Sequence, residues 1–161
     1  MFIGPAGTTT RLHFDAHGAH GWLAVVRGRK LFVLFPPSHG AHLYPFDRAQ
    51  SEVGPAHAPA KETTQSPVDP LAPDLRRYPE YAKAELLAAV CGPGDVIVIP
   101  KGWWHYAVAL EPCITVMRNW WNHATNVQDL LRMIIDPMKK ILERRRRQGQ
   151  QRGPGGDGRR G

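Results

Sequence analysis

Two histidines and one aspartate carry the donor atoms of a metal site. His13 and Asp15 stand two residues apart in the stretch LHFDAHG. Because side chains two residues apart on a strand point to the same face, this imidazole and this carboxylate would project together. His105 begins a later apolar stretch and offers a third donor. Two histidines and a carboxylate form a facial triad that leaves three positions open on Fe(II), so the spacing predicts an Fe(II) site.

A hydroxyl lies in the predicted strand of His13, and a cation begins a later predicted strand. Lys30 begins the apolar stretch KLFVLF, and Thr10 precedes the first histidine by three residues. Together they would hold the distal carboxylate of a dicarboxylic cosubstrate. Lys30 could equally be a solvated charge beside neighbouring arginines. Thr8 and Thr9 are alternative hydroxyl donors, and all three threonines also suit a strand that binds nothing.

The remaining histidines are not placed like ligands. His17 and His20 fall in the glycine-rich turn that follows the first ligand strand, and they are expected to rim the mouth of a pocket. Four more lie in polar or proline-rich sequence and are expected to be solvated: His39, His42, His57 and His123.

Short apolar runs between glycine and proline breaks predict a mainly β fold, an antiparallel barrel or sandwich. No helical pattern separates the runs from Leu86 to Trp121. The predicted strands are Thr8–Asp15, Trp22–Val26, Lys30–Phe35, Leu86–Val90, Val96–Ile99, Trp104–Leu110 and Cys113–Trp121.

Three other segments complete the predicted organisation. Residues 38–86 are an insertion loop within a barrel domain of residues 1–124, with a short helix near residues 78–85. Apolar residues at three-and-four spacing predict an amphipathic helix over residues 125–143, which packs on the barrel or pairs with a second copy as a homodimer. Residues 144–161 have no apolar side chain to bury, so the Arg/Gly-rich tail is expected to be disordered.

The excess of basic over acidic residues is confined to one end of the chain. The 21 Lys and Arg residues outnumber the 14 Asp and Glu residues by seven. Residues 139–161 hold nine basic and two acidic residues, which accounts for the whole excess. Any contact with nucleic acid is therefore expected through the tail. No apolar run is long enough to span a bilayer, so we expect an intracellular protein, nuclear or cytoplasmic, with no membrane contact.

Several motifs in order resemble one family. The stretches GPAGTTTRLHFDAHG, WLAVVRGRKLFVLFPP, GPGDVIVIPKGWWHYAV and ITVMRNWW are similar to the JmjC-type, cupin-like 2-oxoglutarate oxygenases over about residues 2–121. The resemblance implies a double-stranded β-helix, that is, a cupin or jelly-roll barrel. It also implies Fe(II) bound by His13, Asp15 and His105, with 2-oxoglutarate as cosubstrate.

The resemblance further implies roles for residues around the iron. Lys30 and Thr10 would hold the distal carboxylate of 2-oxoglutarate, and Asn119 would lie near the cosubstrate. Trp104 would support the third metal ligand. The implied pocket walls are Trp22, Trp104 and Trp121. The implied reaction hydroxylates, or demethylates, a side group of a protein or RNA, with no catalytic residue beyond the metal ligands.

The sequence departs from the family pattern at two places. It has Gly21-Trp22 where many relatives have an Asn or an aromatic residue, and Met117 where many have Thr or Ser. Relatives usually carry a long segment before the first ligand strand, so a fragment or a minimal form is expected here. Two other functions remain open: a non-catalytic cupin-like binding module, and an RNA-binding adaptor that acts through the tail.

Overall fold

The computed structural model describes residues 1–46 and 64–151. Its strands are β1 (Phe2–Gly4), β2 (Thr9–His13), β3 (His20–Arg27), β4 (Lys30–Phe35), β5 (Leu87–Cys91), β6 (Val96–Ile99), β7 (Trp104–Ala109) and β8 (Cys113–Trp120). One α-helix, α1 (Val127–Gln151), follows them. Short 3-10 segments span Ala16–Gly18, Pro37–Leu43 and Pro79–Lys83.

The strands form two antiparallel sheets of four strands each. One sheet has the order β1-β8-β3-β6 and the other the order β2-β7-β4-β5. Neighbours in each sheet come from distant parts of the chain, which is the strand order of a jelly roll. The predicted mainly β fold and double-stranded β-helix are therefore confirmed.

The alternation along β4 shows how the sequence separates the two faces of its sheet. Phe32 and Leu34 point into the space between the sheets, whereas Val33 and Phe35 belong to a second cluster on the outer face. A strand with apolar residues on both faces is expected where both faces are covered. The inner core consists of Leu23, Val25, Phe32, Leu34, Cys91, Ile99, Ala107, Ala109 and Cys113.

The predicted insertion covers the outer face of the second sheet. Leu43 and Tyr81, from the two longer 3-10 segments, pack with Val68 against Trp104 and Phe35. The short helix expected near residues 78–85 is present as the 3-10 segment Pro79–Lys83. Residues 47–63 of the insertion lie outside the described residues.

The C-terminal helix differs from the prediction. The helix was expected over residues 125–143 with a disordered tail after it, but α1 runs from Val127 to Gln151 and includes Pro137. The expectation of disorder is wrong for residues 144–151, because arginine and glutamine have high helix propensity and extend a helix that is already nucleated. The rest of the tail, residues 152–161, lies outside the described residues.

One side of α1 leaves apolar side chains exposed. These are Leu131, Ile134, Ile135, Met138, Ile141 and Leu142. The expected homodimer through this helix stays a prediction. Over residues 1–46 and 64–151, no helix combines the length and apolar character that a membrane crossing requires.

Candidate metal centre

The strand register brings the two histidine ligands together. His13, the last residue of β2, is the direct cross-strand partner of His105 in β7. Their ring centroids lie 4.1 Å apart. Paired residues of neighbouring strands project from the same face, and here that face is the inner one. Two histidines from distant parts of the sequence thus meet at one end of the barrel.

The hydrogen bonds of the two rings fix which nitrogen is free. Nδ1 of His13 lies 2.7 Å from the carbonyl oxygen of Arg11, and Nδ1 of His105 lies 3.2 Å from that of Trp103. Because a carbonyl oxygen can only accept, each Nδ1 must carry the hydrogen. The Nε2 lone pair of each neutral ring is then available to a metal, with a backbone carbonyl orienting the ring.

Asp15 completes the donor set. One ligand atom from each of His13, Asp15 and His105 lies within 4.8 Å of the other two, and His13 Nε2 is 3.8 Å from Asp15 Oδ1. Asp15 Oδ2 is buried and makes no hydrogen bond to a residue that the structure describes. A buried carboxylate oxygen is costly without a partner, and a bound cation would supply one. The residues present therefore fit a metal with two nitrogen ligands and one carboxylate.

The protonation of His105 also favours metal binding. His105 is buried, and the pKa of its imidazole is lowered to about 4, mainly by burial and also by the nearby His13, with Asp15 and the backbone bond to Trp103 opposing the shift. A ring with this pKa is neutral at pH 7, and a neutral ring is the form that binds a metal.

Gly21 provides the space that the carboxylate occupies. A Cβ atom built at Gly21 would lie 2.8 Å from Asp15 Oδ2. Gly21 pairs with Asn119 on one side and Ile99 on the other, so it forms the inner face of β3 beside the metal centre. The sequence showed Gly21 as a departure from the family pattern, but its contact with Asp15 depends on the register between the sheets.

The loop that carries Asp15 is held by the segment that leads into α1. The side chain of Asn126 is buried, and its Nδ2 donates to the carbonyl oxygen of Gly18 at 2.8 Å. The indole of Trp121 donates to the carbonyl oxygen of His17 at 3.1 Å. These bonds hold His17 in the left-handed region, with φ of 59°. Asn126 was not identified from the sequence, since only its burial against a distant loop shows its role.

His20, beside this loop, is held by hydrogen bonds and stacking within the protein. The backbone N–H of Lys101 donates to its Nδ1 at 2.9 Å, and its Nε2 lies 2.8 Å from the hydroxyl oxygen of Thr125. The ring also stacks on Trp120 at 4.6 Å between centroids. Both ring nitrogens of His20 are therefore used within the protein, which leaves neither of them to a metal.

The residues predicted to bind the cosubstrate lie on the inner face but at different levels. Asn119 is level with Gly21 at the metal end. Thr10 pairs with Ala107, which is level with Phe32 of β4. Lys30 is two residues further along β4, away from the metal end, and its ammonium lies 5.7 Å from the ring centroid of Phe2. Burial lowers the pKa of Lys30.

The three tryptophans predicted as pocket walls have different positions. Trp104 is buried in the outer cluster and packs edge-to-face on Phe14, with ring centroids 4.8 Å apart. Phe14 is the residue between His13 and Asp15, so Trp104 supports the segment that carries both. Trp22 alternates with the inner residues of β3 and is half-buried on the opposite face. Trp121 binds the loop of Asp15 as described above. None of the three has a described contact with a metal ligand's side chain.

The chain belongs to the cupin-like domain family, whose family model matches residues 1–126. It is 34% identical over 113 residues to human HSPB1-associated protein 1, covering 70% of this chain and 21% of that protein. It is 33% identical over 110 residues to lysine-specific demethylase 8 of Xenopus tropicalis, covering 68% and 22%. It is 33% identical over 125 residues to the human bifunctional peptidase and (3S)-lysyl hydroxylase JMJD7, covering 72% and 39%.

These similarities confirm the family that the motifs resemble. Relatives in this family include a hydroxylase and demethylases. The chain spans about a fifth of the length of the first of the three relatives described.

Proposed function

We propose that this chain is the metal-binding domain of an Fe(II)- and 2-oxoglutarate-dependent oxygenase. The observation that carries the proposal is the His13, Asp15 and His105 cluster, in which both Nε2 lone pairs are free and one carboxylate oxygen has no described partner. Two histidines and a carboxylate on one face are the donor set of non-haem Fe(II) oxygenases.

Four residues of the chain have defined roles in the proposed function. The bound iron and cosubstrate would supply the oxidising chemistry. His13 and His105 provide neutral donors, and Asp15 provides the single negative charge. Lys30 provides a buried positive charge on the same inner face, suited to the distal carboxylate of the cosubstrate. No other acid or base of the chain is required.

The proposed substrate is a side chain of a protein. Three of the relatives are named for action on lysine or arginine, one as a lysyl hydroxylase, one as a lysine-specific demethylase and one as an arginine-specific demethylase. Hydroxylation and demethylation begin with the same oxidation of a C–H bond, so they differ in whether the oxidised carbon is attached to nitrogen. An RNA side group remains the alternative substrate.

Anaerobic binding tests the proposal directly. The purified chain with Fe(II) and 2-oxoglutarate should show the visible charge-transfer absorbance of the ternary complex. His13→Ala should abolish this band, whereas His17→Ala, an exposed histidine in the adjacent loop, should retain it. Succinate formation with lysine- and arginine-containing peptides then tests turnover. An unaltered band in His13→Ala, or no band in the unmodified chain, would contradict the proposal.

A further inference from the structure

The α1 helix carries an apolar stripe that the barrel does not cover. Six of its large apolar side chains are between 41% and 60% exposed: Leu131, Ile134, Ile135, Met138, Ile141 and Leu142. They recur at three- and four-residue spacing, so they lie within an arc of about 120° on one side of the helix. Helices in proteins gain most of their stability by packing such a face. The apolar stripe, defined by these six residues, therefore requires an occupant.

Cations border the apolar stripe on both sides. Lys139 and Arg146 lie along one border, each four residues after a member of the stripe, and Arg144 lies along the other, three residues after one. All three are exposed and form no ion pair with a described residue. Asp136 and Glu143 lie on the opposite side of the helix, roughly 140–160° from the centre of the stripe. Positive charge is thus beside the stripe and negative charge away from it.

The positive charge is concentrated in the C-terminal half of the helix. Residues 139–147 contain six Lys or Arg residues and one acidic residue. All of their side chains are exposed. Lys and Arg have apolar stems that extend along an apolar surface while the charged head reaches water. Cations placed in this way suit anionic groups that lie in a plane just above an apolar layer.

Two other occupants fit these features less well. A second copy would meet the stripe with an identical helix, so in either orientation a basic border would face a basic border. Like charges between paired helices oppose their association. Nucleic acid would neutralise the cations but would leave the apolar stripe in water.

We propose that α1 binds the surface of a membrane that contains anionic phospholipids. The apolar stripe enters the boundary between headgroups and acyl chains, the bordering cations contact lipid phosphates, and the acidic side faces water. This inference goes beyond the proposed function and does not depend on the metal centre. The expectation of no membrane contact came from the lack of an apolar run that could span a bilayer, which a helix lying in the interface does not need.

Titration of the full chain with lipid vesicles tests the role of charge. Phosphatidylcholine vesicles with about one-third phosphatidylserine should bind the chain, and phosphatidylcholine alone should bind it at least about tenfold more weakly. Arg146→Gln should weaken binding to the anionic vesicles about fivefold, the effect of one cation at the surface. Arg76→Gln removes the same charge from an exposed position outside α1 and should change binding less than about twofold.

A matched pair of leucine variants tests the role of the apolar stripe. Leu142 and Leu87 are both 60% exposed, but Leu87 lies on β5. Leu142→Gln should weaken binding to anionic vesicles about tenfold, because it removes apolar surface that the membrane buries. Leu87→Gln should leave binding unchanged. The unfolding temperature without vesicles should be similar in both variants, since each changes an exposed side chain.

A fluorescent label on each side of the helix separates insertion from adhesion by charge alone. The two cysteines of the chain are buried, so an introduced, exposed cysteine can be labelled selectively. Met138→Cys with an environment-sensitive fluorophore should emit at shorter wavelength when anionic vesicles are added. Asp136→Cys, on the opposite side, should show no shift.

Three results would overturn the proposal. The first is equal affinity for neutral and anionic vesicles, or a label at position 138 that stays in water. The second is a shift of that label without vesicles that grows with protein concentration, which would assign the stripe to a second copy. The third is RNA binding that Leu142→Gln does not affect, in a chain that does not bind vesicles, which would assign the cations to nucleic acid.

Discussion

His13 and His105 are cross-strand partners whose rings lie 4.1 Å apart, and each ring directs Nδ1 to a backbone carbonyl. The arrangement places two free nitrogen lone pairs next to the carboxylate of Asp15. The two histidines of the candidate metal centre therefore belong to the β2–β7 pairing, whereas Asp15 lies in the loop that follows β2.

Metal binding should stabilise the chain through Asp15. A divalent metal at about 100 times its dissociation constant should add about 3 kcal/mol to the free energy of unfolding. Asp15→Asn should lose most of this gain, while its metal-free form is at least as stable as the unmodified chain, because the buried Oδ2 of a negatively charged group has no hydrogen bond in the described residues. Thermal denaturation with and without Mn(II) measures both. Asp136→Asn, on the exposed side of α1, is the control that should keep the full gain.

Gly21→Ala should weaken the metal site without unfolding the barrel. The new methyl group would lie 2.8 Å from Asp15 Oδ2, so the carboxylate must move away from the histidines. We expect metal affinity to fall about tenfold or more, consistent with the effect of disturbing the orientation of a ligand. Gly92→Ala, where the added Cβ would meet no atom closer than 3.9 Å, should leave metal affinity unchanged. Equal affinities in the two variants would show that the contact is unimportant.

Asn126→Ala should loosen the loop that carries Asp15. The carboxamide bonds the carbonyl of Gly18 and accepts from the backbone N–H of Asn122, so its loss leaves buried backbone groups unpaired. The expected loss is about 2 kcal/mol of stability, together with faster hydrogen exchange in residues 15–19. Hydrogen exchange detected by mass spectrometry checks this. The exposed neighbour His123 gives the control: His123→Ala should leave exchange in that loop as it was.

Lys30→Met should stabilise the metal-free chain at pH 7 by about 1–2 kcal/mol, since it replaces a buried, unpaired cation with an apolar side chain of similar length. The lowered pKa of Lys30 means that the folded state disfavours its charged form. This penalty is complete below the folded-state pKa and declines as the pH rises from there toward 10.5.

The stabilisation by Lys30→Met should therefore shrink in alkaline solution. Denaturant titrations at several pH values measure it, and the same variant should lose 2-oxoglutarate binding. A variant less stable than the unmodified chain at pH 7 would mean that the ammonium has a favourable partner.

The sequence predicted the strands well because each is a short apolar run ended by glycine or proline. Lys30–Phe35 and Val96–Ile99 match their predicted limits, and the other predicted strands differ at their ends by a few residues. Strand β1 was missed, since three residues at the chain's start carry no alternation that distinguishes them. The predicted end of the helix, residue 143, was too early for another reason. Residues after 143 have no apolar side chains, and this was interpreted as disorder. Apolar side chains determine whether a helix packs on the core, whereas helix formation also depends on the helix propensity of each residue.

The donor set of the candidate metal site was also predictable, but the residues that support it were not. The spacing of His13 and Asp15 predicted that they lie together, although β2 ends at His13 and Asp15 belongs to the loop that follows, and the family motifs identified His105. The contacts of Gly21 and Asn126 depend on which strand or loop lies opposite them. Such contacts join residues that are distant in sequence, so the amino-acid sequence alone does not reveal them.

The attachment of α1 has a mechanical consequence. The residue before this helix is joined to the loop that carries Asp15 by the hydrogen bond from Asn126 to Gly18, and its first turn is joined to the β6–β7 connection by the ion pair between Asp129 and Lys101. Beyond that point the helix projects for about 35 Å at 1.5 Å per residue, with most of its side chains in solvent. The helix is thus attached to the rest of the protein near its N-terminal end. Because Asn126 bonds the carbonyl of Gly18, a displacement of the start of this helix would also displace the loop that holds Asp15.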